Sequence, residues 1–385
     1  MKILMTAFIG SRNLGDEAIF RSIITGLRLD RSEVTALSVN EQKTREQFGV
    51  NTRFAKSVPQ IVRAIRECDV MLVGGGGIIQ DQSSILNFFL YAVQIALAKW
   101  FKKPLIFTFV GVGPLKFGVS KWLMARLMPS VHFAVVRDEK SAATLRRYMP
   151  KGGRIVTAHD PVLNFPFKPA ELQDIYAEQT PYAVVSLRRW FFTNPLLPVF
   201  ISRKINKLRI FRRRYDEYMN ALCTDFDSYL DASPEMKLVL VSLYDSEDDI
   251  VNADVVARMR NRERVIVADN KLEEMRFLSI VKNAQFTIGM RLHSLILGAN
   301  LGTPFVALRY STKVDEFTDQ MGLLDHSIHV ERYDSEALQA ALQHVEANRE
   351  KIKGDITERV TAYRARNNEA FKLIRQEIER LRNKL

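Results

Sequence analysis

Short apolar runs alternate with longer amphipathic stretches along most of the chain. In the first half, the apolar runs are each followed by a glycine or charged residue and then by helical periodicity; they lie at 3–9, 34–39, 69–73, 104–110 and 133–136. Buried strands that alternate with helices are typical of a parallel sheet covered on both faces. The first half is therefore predicted to be a doubly wound α/β sheet.

The same alternation returns after a proline-rich crossing at 160–169 and continues to about residue 308. A chain of 385 residues is too long for one ordinary core, which favours two domains of roughly 150 to 200 residues. We predict an α/β protein with two Rossmann-like domains, 1–165 and 166–345, facing a cleft in a GT-B-like arrangement. The basic helical end, 346–385, is predicted to pack back on the N-terminal domain.

The most apolar run, 85–101, is interrupted by Asn87, Gln94 and Lys99. A membrane-spanning helix needs about 20 apolar residues, so this run is interpreted as a buried helix. The chain begins directly with a predicted strand, and its two cysteines, 68 and 223, lie far apart. Neither a secretory signal nor a disulfide framework is indicated, so a cytoplasmic location is expected.

Basic residues outnumber acidic ones by 56 to 44, giving a formal net charge of +12. In 188–214, bulky apolar side chains such as Trp190 and Phe200 adjoin a group of cations. These are Arg203, Lys204, Lys207, Arg209, Arg212, Arg213 and Arg214. The combination is typical of an interface with anionic lipid, and a solvated helix face is the simpler alternative. We predict peripheral association with the inner face of the cell membrane; nucleic acid is not an expected partner, because no recognition motif accompanies the cations.

Gly10 to Glu17 form a glycine-containing turn between the first strand and a helix. Helix starts of this kind present free backbone N–H groups to anions. The turn lacks the spacing of a dinucleotide or nucleoside triphosphate motif. Asn13 is a candidate binding residue, and Asp16 or Glu17 is a candidate catalytic acid or base. The alternative is that both acids only complement the helix dipole.

Four consecutive glycines, 74–77, follow the next buried run. Residues without side chains allow a backbone or a ligand to approach closely. We predict a binding loop here that includes Gly75, Gly76 and the nearby Asp81.

The stretch 286–313 combines an apolar strand, a polar turn, a small-residue helix, a second strand and a basic loop. Ligands of open α/β sheets bind where the strands end. Arg291, His293, Arg309 and Lys313 are therefore expected to converge, and four nitrogen-rich side chains favour an anionic ligand. Taken singly, the arginines are better explained as surface charges and the histidine as a core residue; it is the cluster, with small residues around it, that favours a site.

Together these segments resemble the polysaccharide pyruvyl transferase family, in particular its CsaB-like members, which modify bacterial cell-wall polymers. The resemblance rests on motifs that occur in the family's order between residues 11 and 313: NLGDEAI, GGGGIIQD, GVGP, VVRDEKS, DPV, GMRLHSLILGANLGTPFVAL and YSTK. It implies transfer of pyruvate from phosphoenolpyruvate to a sugar of a cell-surface polysaccharide or its lipid-linked precursor, with formation of a ketal.

The resemblance also assigns roles to residues. Arg137, His293 and Lys313 match positions that the family uses for the donor, and Arg291 is a further candidate for it. The residues of the predicted glycine loop would shape the acceptor side.

Ketal formation needs proton transfer, which a carboxylate of the Gly10 turn or His293 can supply. No metal or other cofactor is expected, because fixed cations can neutralise the phosphate.

Two other functions are considered. A nucleotide-sugar glycosyltransferase shares the two-domain architecture, and Glu316 is available as its nucleoside contact. A non-catalytic scaffold at the membrane is a different class, but it has no use for the glycine turns and the cation cluster.

Overall fold

The computed structural model describes residues 1–82, 85–179, 181–191, 209–244, 247–269 and 273–384, without the side chains of 209–212. These residues form two compact units: unit 1 contains 1–166 and 363–384, and unit 2 contains 167–191 and 209–362. Of the seven cations on which the membrane prediction for 188–214 depends, Arg203, Lys204 and Lys207 lie outside the described residues, and the side chains of Arg209 and Arg212 are not described.

Unit 1 is built on one parallel sheet. Its strands are β1 Ile3–Ile9, β2 Val34–Ser38, β3 Asn51–Phe54, β4 Val70–Ile79, β5 Leu105–Val112, β6 Val131–Val136 and β7 Ile155–Thr157. Their order is β3-β2-β1-β4-β5-β6-β7, and every pairing is parallel. The connecting helices are α1 Leu14–Gly26, α2 Glu41–Phe48, α3 Val58–Glu67, α4 Ile85–Trp100, α5 Gly118–Leu127 and α6 Glu139–Arg146.

Unit 2 repeats this design with a six-stranded sheet. Its strands are β8 Tyr182–Ser186, β9 Lys237–Leu240, β10 Val265–Val267, β11 Phe286–Gly289, β12 Phe305–Arg309 and β13 Ile328–His329. The order is β10-β9-β8-β11-β12-β13, again parallel throughout. Its helices are α7 Arg209–Ala232, α8 Asp248–Arg258, α9 Glu274–Lys282, α10 Leu292–Ala299, α11 Thr312–Gln320 and α12 Ser335–Ala347. The two parallel sheets confirm the predicted fold class.

The last helix, α13 (Arg349–Arg382), is shared by the two units: 349–362 belong to unit 2 and 363–382 to unit 1. Within unit 1, Phe371 is buried, and its ring centroid lies 4.6 Å from that of Phe109. Glu377 is also buried and forms ion pairs with His132 (2.8 Å), Arg154 (2.8 Å) and Arg380 (3.3 Å). An aromatic contact and a buried carboxylate paired with one histidine and two arginines thus hold the end of α13 in unit 1.

Helix α4 differs from its prediction in burial. The prediction of a helix at 85–101 is confirmed, but the prediction that it is buried is wrong for one face, on which Leu86, Val93 and Trp100 are exposed. Helical periodicity places these side chains together on the outer face, while the opposite face enters the core. In the described part of the chain, no helix is long and apolar enough to cross a membrane.

Candidate functional site

Each sheet has one point at which the chain changes its direction of growth. In unit 1 this point lies between β1 and β4, and in unit 2 between β8 and β11. Connections leave these neighbouring strands in opposite directions, so a crevice opens at their carboxyl ends, where open α/β sheets bind ligands. The residues that follow β1, β4, β8 and β11 are therefore the best placed to contact a ligand.

In unit 1, the four glycines lie within β4 and not in a loop, so the predicted loop is wrong. Gly75 and Gly76 have φ values of +71° and +76°, which side-chain-bearing residues rarely adopt. A β-carbon on Gly75 would lie 2.0 Å from Ile19 Cγ2 of α1, so the absence of a side chain lets α1 pack directly on the strand. A β-carbon on Gly76 would lie 3.8 Å from Asp16 Oδ1, which places this carboxylate beside the strand.

Arg137 follows β6, and its guanidinium extends over the neighbouring strands. A β-carbon on Gly111 of β5 would lie 2.8 Å from its Nε, and one on Gly77 of β4 would lie 3.4 Å from its Nη2. The guanidinium is largely buried and pairs with Asp138 (3.6 Å) and Asp160 (3.5 Å). Unit 1 thus brings Asp16 and Arg137 to consecutive glycines of one strand.

The other residues predicted at this end of unit 1 support the backbone. Asn13 is the N-cap of α1, and its side chain accepts a hydrogen bond from Gly15 N (3.2 Å). Glu17 is buried, and its Oε1 accepts from Gly10 N (3.0 Å), which ties the turn to the helix. Asp16 is only half-buried. Of the two acids, Asp16 is the one whose position suits contact with a substrate.

Asp81 also has a structural role. Its side chain is buried, and its carboxylate accepts hydrogen bonds from Lys116 N (2.7 Å) and Phe117 N (3.0 Å). Both oxygens therefore hold the segment that precedes α5.

In unit 2, a cation–phenol pair occupies the ends of β8 and β12. Arg188, two residues after β8, donates from Nη1 to the hydroxyl oxygen of Tyr310 (2.9 Å). The Arg188 guanidinium carbon lies 4.7 Å from the Tyr310 ring centroid, and the indole of Trp190 packs 4.8 Å from the same ring. The phenol is thus held between an aromatic side chain and a fixed positive charge.

The charges around Tyr310 change its acidity. Burial alone would raise the pKa of the phenol, but the cations Lys313, Arg188 and Arg291 outweigh burial and lower it from 10 to about 7. A phenol with this pKa can give or take a proton near neutral pH. The same positive potential attracts an anionic ligand.

The predicted residues His293 and Lys313 begin the two helices next to this pair. His293 is the second residue of α10 and Lys313 the second residue of α11, and both are half-buried. Arg309, which was expected to join them, instead pairs through Nη1 with Asp315 (3.0 Å). Lys313 therefore contributes positive potential at Tyr310, whereas the guanidinium of Arg309 is paired with a carboxylate.

Arg291, the predicted helper, is committed to a buried partner. Its Nε donates to Asp248 Oδ2 (3.1 Å), and its Nη2 donates to Asp248 Oδ1. The Asp248 side chain is 0% exposed and also accepts from Leu243 N (3.1 Å) and Tyr244 N (3.0 Å). Burial would lower the pKa of Arg291, but the carboxylate raises it above its ordinary value, so the guanidinium stays charged. Arg291 thus contributes positive potential near Tyr310 while its hydrogen bonds stabilise unit 2.

Three residues of this site were missed from the sequence. Arg188 follows β8 directly and is found by the same strand-end rule that found Arg291. Tyr310 stands inside the YSTK motif, next to residues that were chosen for their charge. Asp248 lies in an acidic run with Asp249, and no local signal distinguishes the buried carboxylate from its neighbour.

Comparisons with known proteins agree with this architecture. The chain is 21% identical over 425 aligned positions to the amylovoran biosynthesis protein AmsJ of Erwinia amylovora, covering 96% of this chain and 97% of AmsJ. Among solved structures, the UDP-GlcNAc 2-epimerase of Neisseria meningitidis bound to UDP-GlcNAc has a TM-score of 0.64 at 13% identity, covering 99% and 100% of the two chains. HepE of Anabaena in complex with UDP-glucose has a TM-score of 0.59 at 14% identity and full coverage of both chains. These structural similarities confirm the GT-B-like fold class.

The sequence comparison with family profiles is more specific than the fold. The profile of the polysaccharide pyruvyl transferases matches residues 13–312, a span that contains every candidate residue of both units except Lys313. This match confirms the resemblance seen in the motifs, and the chain belongs to the polysaccharide pyruvyl transferase family.

Proposed function

We propose that this protein transfers pyruvate from phosphoenolpyruvate to a sugar of a cell-surface polysaccharide or its lipid-linked precursor, forming a pyruvate ketal. The observation that carries the proposal is the cationic cluster in unit 2, where Arg188 donates to the Tyr310 hydroxyl and the charges of Lys313 and Arg291 also act on the phenol. Family membership and the relative AmsJ support a role in polysaccharide modification.

Phosphoenolpyruvate suits a cluster of this charge. It carries a carboxylate and a phosphate, and fixed guanidinium and ammonium groups bind such anions by charge-assisted hydrogen bonds. In unit 2 we assign Arg188, His293 and Lys313 to the donor. Arg137 of unit 1 is a further donor residue by its match to the family motif.

The proposed reaction moves two protons. In the first step, C3 of the enol takes a proton, the first sugar hydroxyl forms a bond to C2, and that hydroxyl gives up its own proton. In the second step, the bond from C2 to the phosphate oxygen breaks, the second hydroxyl closes the ring, and its proton leaves with the phosphate. A single acid–base group can deliver the first proton and recover one from the attacking hydroxyl.

Tyr310 and Asp16 are the proposed acid–base groups. The phenol of Tyr310 would donate to C3, and Arg188 would stabilise the phenolate until the attacking hydroxyl returns a proton. Asp16 would take the proton of the second sugar hydroxyl as the ring closes and pass it to the departing phosphate. His293 is assigned to the departing phosphate, because an imidazole N–H can donate a hydrogen bond to a phosphate oxygen.

Thermal unfolding in the presence of ligands tests the donor assignment. Phosphoenolpyruvate should raise the melting temperature of the wild type, because a ligand that binds only the native state stabilises it. The increase should be lost in Lys313→Ala and Arg188→Gln. It should persist in Lys282→Ala, whose exposed pair with Asp174 lies elsewhere in unit 2. An unchanged response in the first two variants would refute the assignment.

Turnover of phosphoenolpyruvate and a saccharide acceptor tests the acid–base assignment. Asp16→Asn and Tyr310→Phe should each lower kcat by about 100-fold or more while the thermal response to the donor is retained. Glu17→Gln should act on stability instead, because Glu17 holds the backbone of Gly10.

A nucleotide-sugar glycosyltransferase is the second candidate, favoured by the solved structures of similar fold that contain UDP-sugars. A panel of UDP-, GDP- and CMP-sugars in the same thermal assay separates the two functions. Stabilisation by a nucleotide sugar, with no response to phosphoenolpyruvate, would support this alternative.

A further inference from the structure

Unit 1 carries an apolar and basic surface that the proposed chemistry does not use. In the described part of the chain, nine large apolar side chains are exposed, and six of them lie on α4 and α5. These six are Leu86, Leu90, Val93, Trp100, Val119 and Trp122. We call them, together with the cations of the same two helices and their flanks, the α4–α5 face.

The apolar positions of α4 form one stripe. Leu86, Leu90, Val93 and Trp100 recur at spacings of four, three and seven, which places them on a single side of the helix. Trp100 is 81% exposed and Trp122 of α5 is 57% exposed. Exposed tryptophans are costly on a surface that meets only water, and they are the residues that concentrate at membrane–water interfaces.

The two helices are joined into one surface. Lys99 Nζ at the end of α4 donates to the carbonyl oxygen of Arg126 at the end of α5 (2.8 Å). The Arg126 guanidinium carbon in turn lies 5.4 Å from the Trp122 ring. The aromatic side chains are thus accompanied by cations at the same end of both helices.

The charge of this region has a single sign. Between Asp81 and Asp138 the chain contains no acidic residue, although acids make up 44 of its 385 residues. Besides the largely buried Arg137, the same interval contains six cations: Lys99, Lys102, Lys103, Lys116, Lys121 and Arg126. A surface that met another protein or a second copy of this chain would be expected to carry both signs, whereas an anionic bilayer attracts cations alone.

We propose that the α4–α5 face binds the surface of an anionic lipid bilayer, with the two tryptophans and the α4 stripe entering the headgroup region and the lysines contacting lipid phosphates. Long cationic side chains suit this arrangement because their apolar stems can lie along the interface while their charges remain hydrated. The residues of this face are different from those of the segment 188–214, and the proposed binding does not depend on which reaction the protein catalyses.

Co-sedimentation with vesicles tests the proposal on the full chain. The wild type should sediment with vesicles of phosphatidylcholine and phosphatidylglycerol in equal parts, and not with vesicles of phosphatidylcholine alone. Trp100→Ser/Trp122→Ser and Lys116→Glu/Lys121→Glu should each reduce the partition coefficient by about tenfold or more. These side chains are exposed, so both variants should fold with an unchanged thermal unfolding curve.

Two matched controls identify the surface. Ile250→Ser removes an exposed apolar side chain in unit 2, and Lys43→Glu/Lys56→Glu makes the same charge change elsewhere in unit 1. Both should bind vesicles like the wild type. Wild-type binding that is absent, or equal in all variants, would overturn the proposal. So would a wild-type dimer in sedimentation velocity that Trp100→Ser/Trp122→Ser converts to a monomer, because the face would then join two copies.

Discussion

The buried pair between Asp248 and Arg291 gives the sharpest prediction for unit 2. In Asp248→Ala, the Arg291 guanidinium stays buried without its counter-charge, and the N–H groups of Leu243 and Tyr244 lose their acceptor. Removing one member of a buried ion pair costs about 3–5 kcal/mol, and each orphaned N–H adds about 1–3 kcal/mol. These contributions overlap, so we expect a loss of about 4 kcal/mol in the free energy of unfolding.

Two further variants divide this loss into its causes. Asp248→Asn keeps an oxygen for the backbone N–H groups but removes the charge, so it should cost about 2–3 kcal/mol. In Asp248→Leu/Arg291→Met both charges are gone, so the cost of the unpaired Arg291 charge should disappear. The N–H groups of Leu243 and Tyr244 still lack an acceptor, and this should keep the double variant about 1–3 kcal/mol less stable than wild type. Glu217→Ala breaks the pair with Arg213 at the surface, where the side chains are 60% and 82% exposed, and should have no measurable effect.

Hydrogen exchange followed by mass spectrometry is the suitable assay, because peptides from the two units report their stabilities separately. A loss of about 4 kcal/mol corresponds to about a thousandfold faster exchange in the strands β8 and β11. Peptides from β4 in unit 1 provide the internal reference. If exchange in β8 and β11 accelerates by less than about tenfold in Asp248→Ala, the pair does not stabilise unit 2 as reasoned.

Three other predictions concern both units. Gly75→Ala should lower the free energy of unfolding of unit 1 by about 2–5 kcal/mol, because the new side chain combines a positive φ with overlap against α1. Gly118 has open space around it, so Gly118→Ala should change the free energy of unfolding, measured in denaturant, by less than about 1 kcal/mol. In Glu377, burial raises the carboxyl pKa, but the bond from His132 and the charges of the arginines outweigh burial and lower it. Wild type should therefore have a higher free energy of unfolding than Glu377→Gln above pH 4.5, the ordinary carboxyl pKa, and this difference should shrink as the pH falls below that value. Urea titrations over this pH range measure it, and a constant difference would contradict the reasoning. The phenol pKa of Tyr310 is lowered to about 7. The contribution of the phenolate to the free energy of unfolding is therefore complete above pH 10 and is lost as the pH falls through 7. The stability difference between wild type and Tyr310→Phe should grow by at most about 1.4 kcal/mol per pH unit between those values. Phenolate absorbance should show a step near pH 7 in wild type that is missing in the variant.

The periodic elements were predictable because short-range patterns determine them. Alternating apolar runs with glycine or charged ends predicted strand ends closely enough to find Arg137, Arg291 and Lys313. The four glycines were misassigned because their composition describes a flexible loop. Their pairing with β5 and the close packing of Ile19 are tertiary contacts that keep them in a strand.

The outer face of α4 and the partner of Arg291 could not be predicted for a related reason. An apolar run indicates a helix but not how much of its circumference other elements cover. Asp248 is followed by a second aspartate, and only the fold decides which carboxylate enters the core. In both cases the sequence does not show which residues pack against the side chain: what covers α4, and which carboxylate pairs with Arg291.

The shared helix α13 has a consequence for the order in which this protein folds during synthesis. Arg375 Nη1 donates to the carbonyl oxygen of Gly26 (2.6 Å) across 349 positions of sequence, and Phe371 occupies the space beside the same glycine. At usual translation rates, roughly 20 to 70 seconds pass between the synthesis of these two regions. Unit 1 therefore emerges first from the ribosome but acquires its last core residues only after unit 2 has been made. During that interval Phe109 and its neighbours lack their cover, which makes the nascent first unit a natural substrate for chaperones.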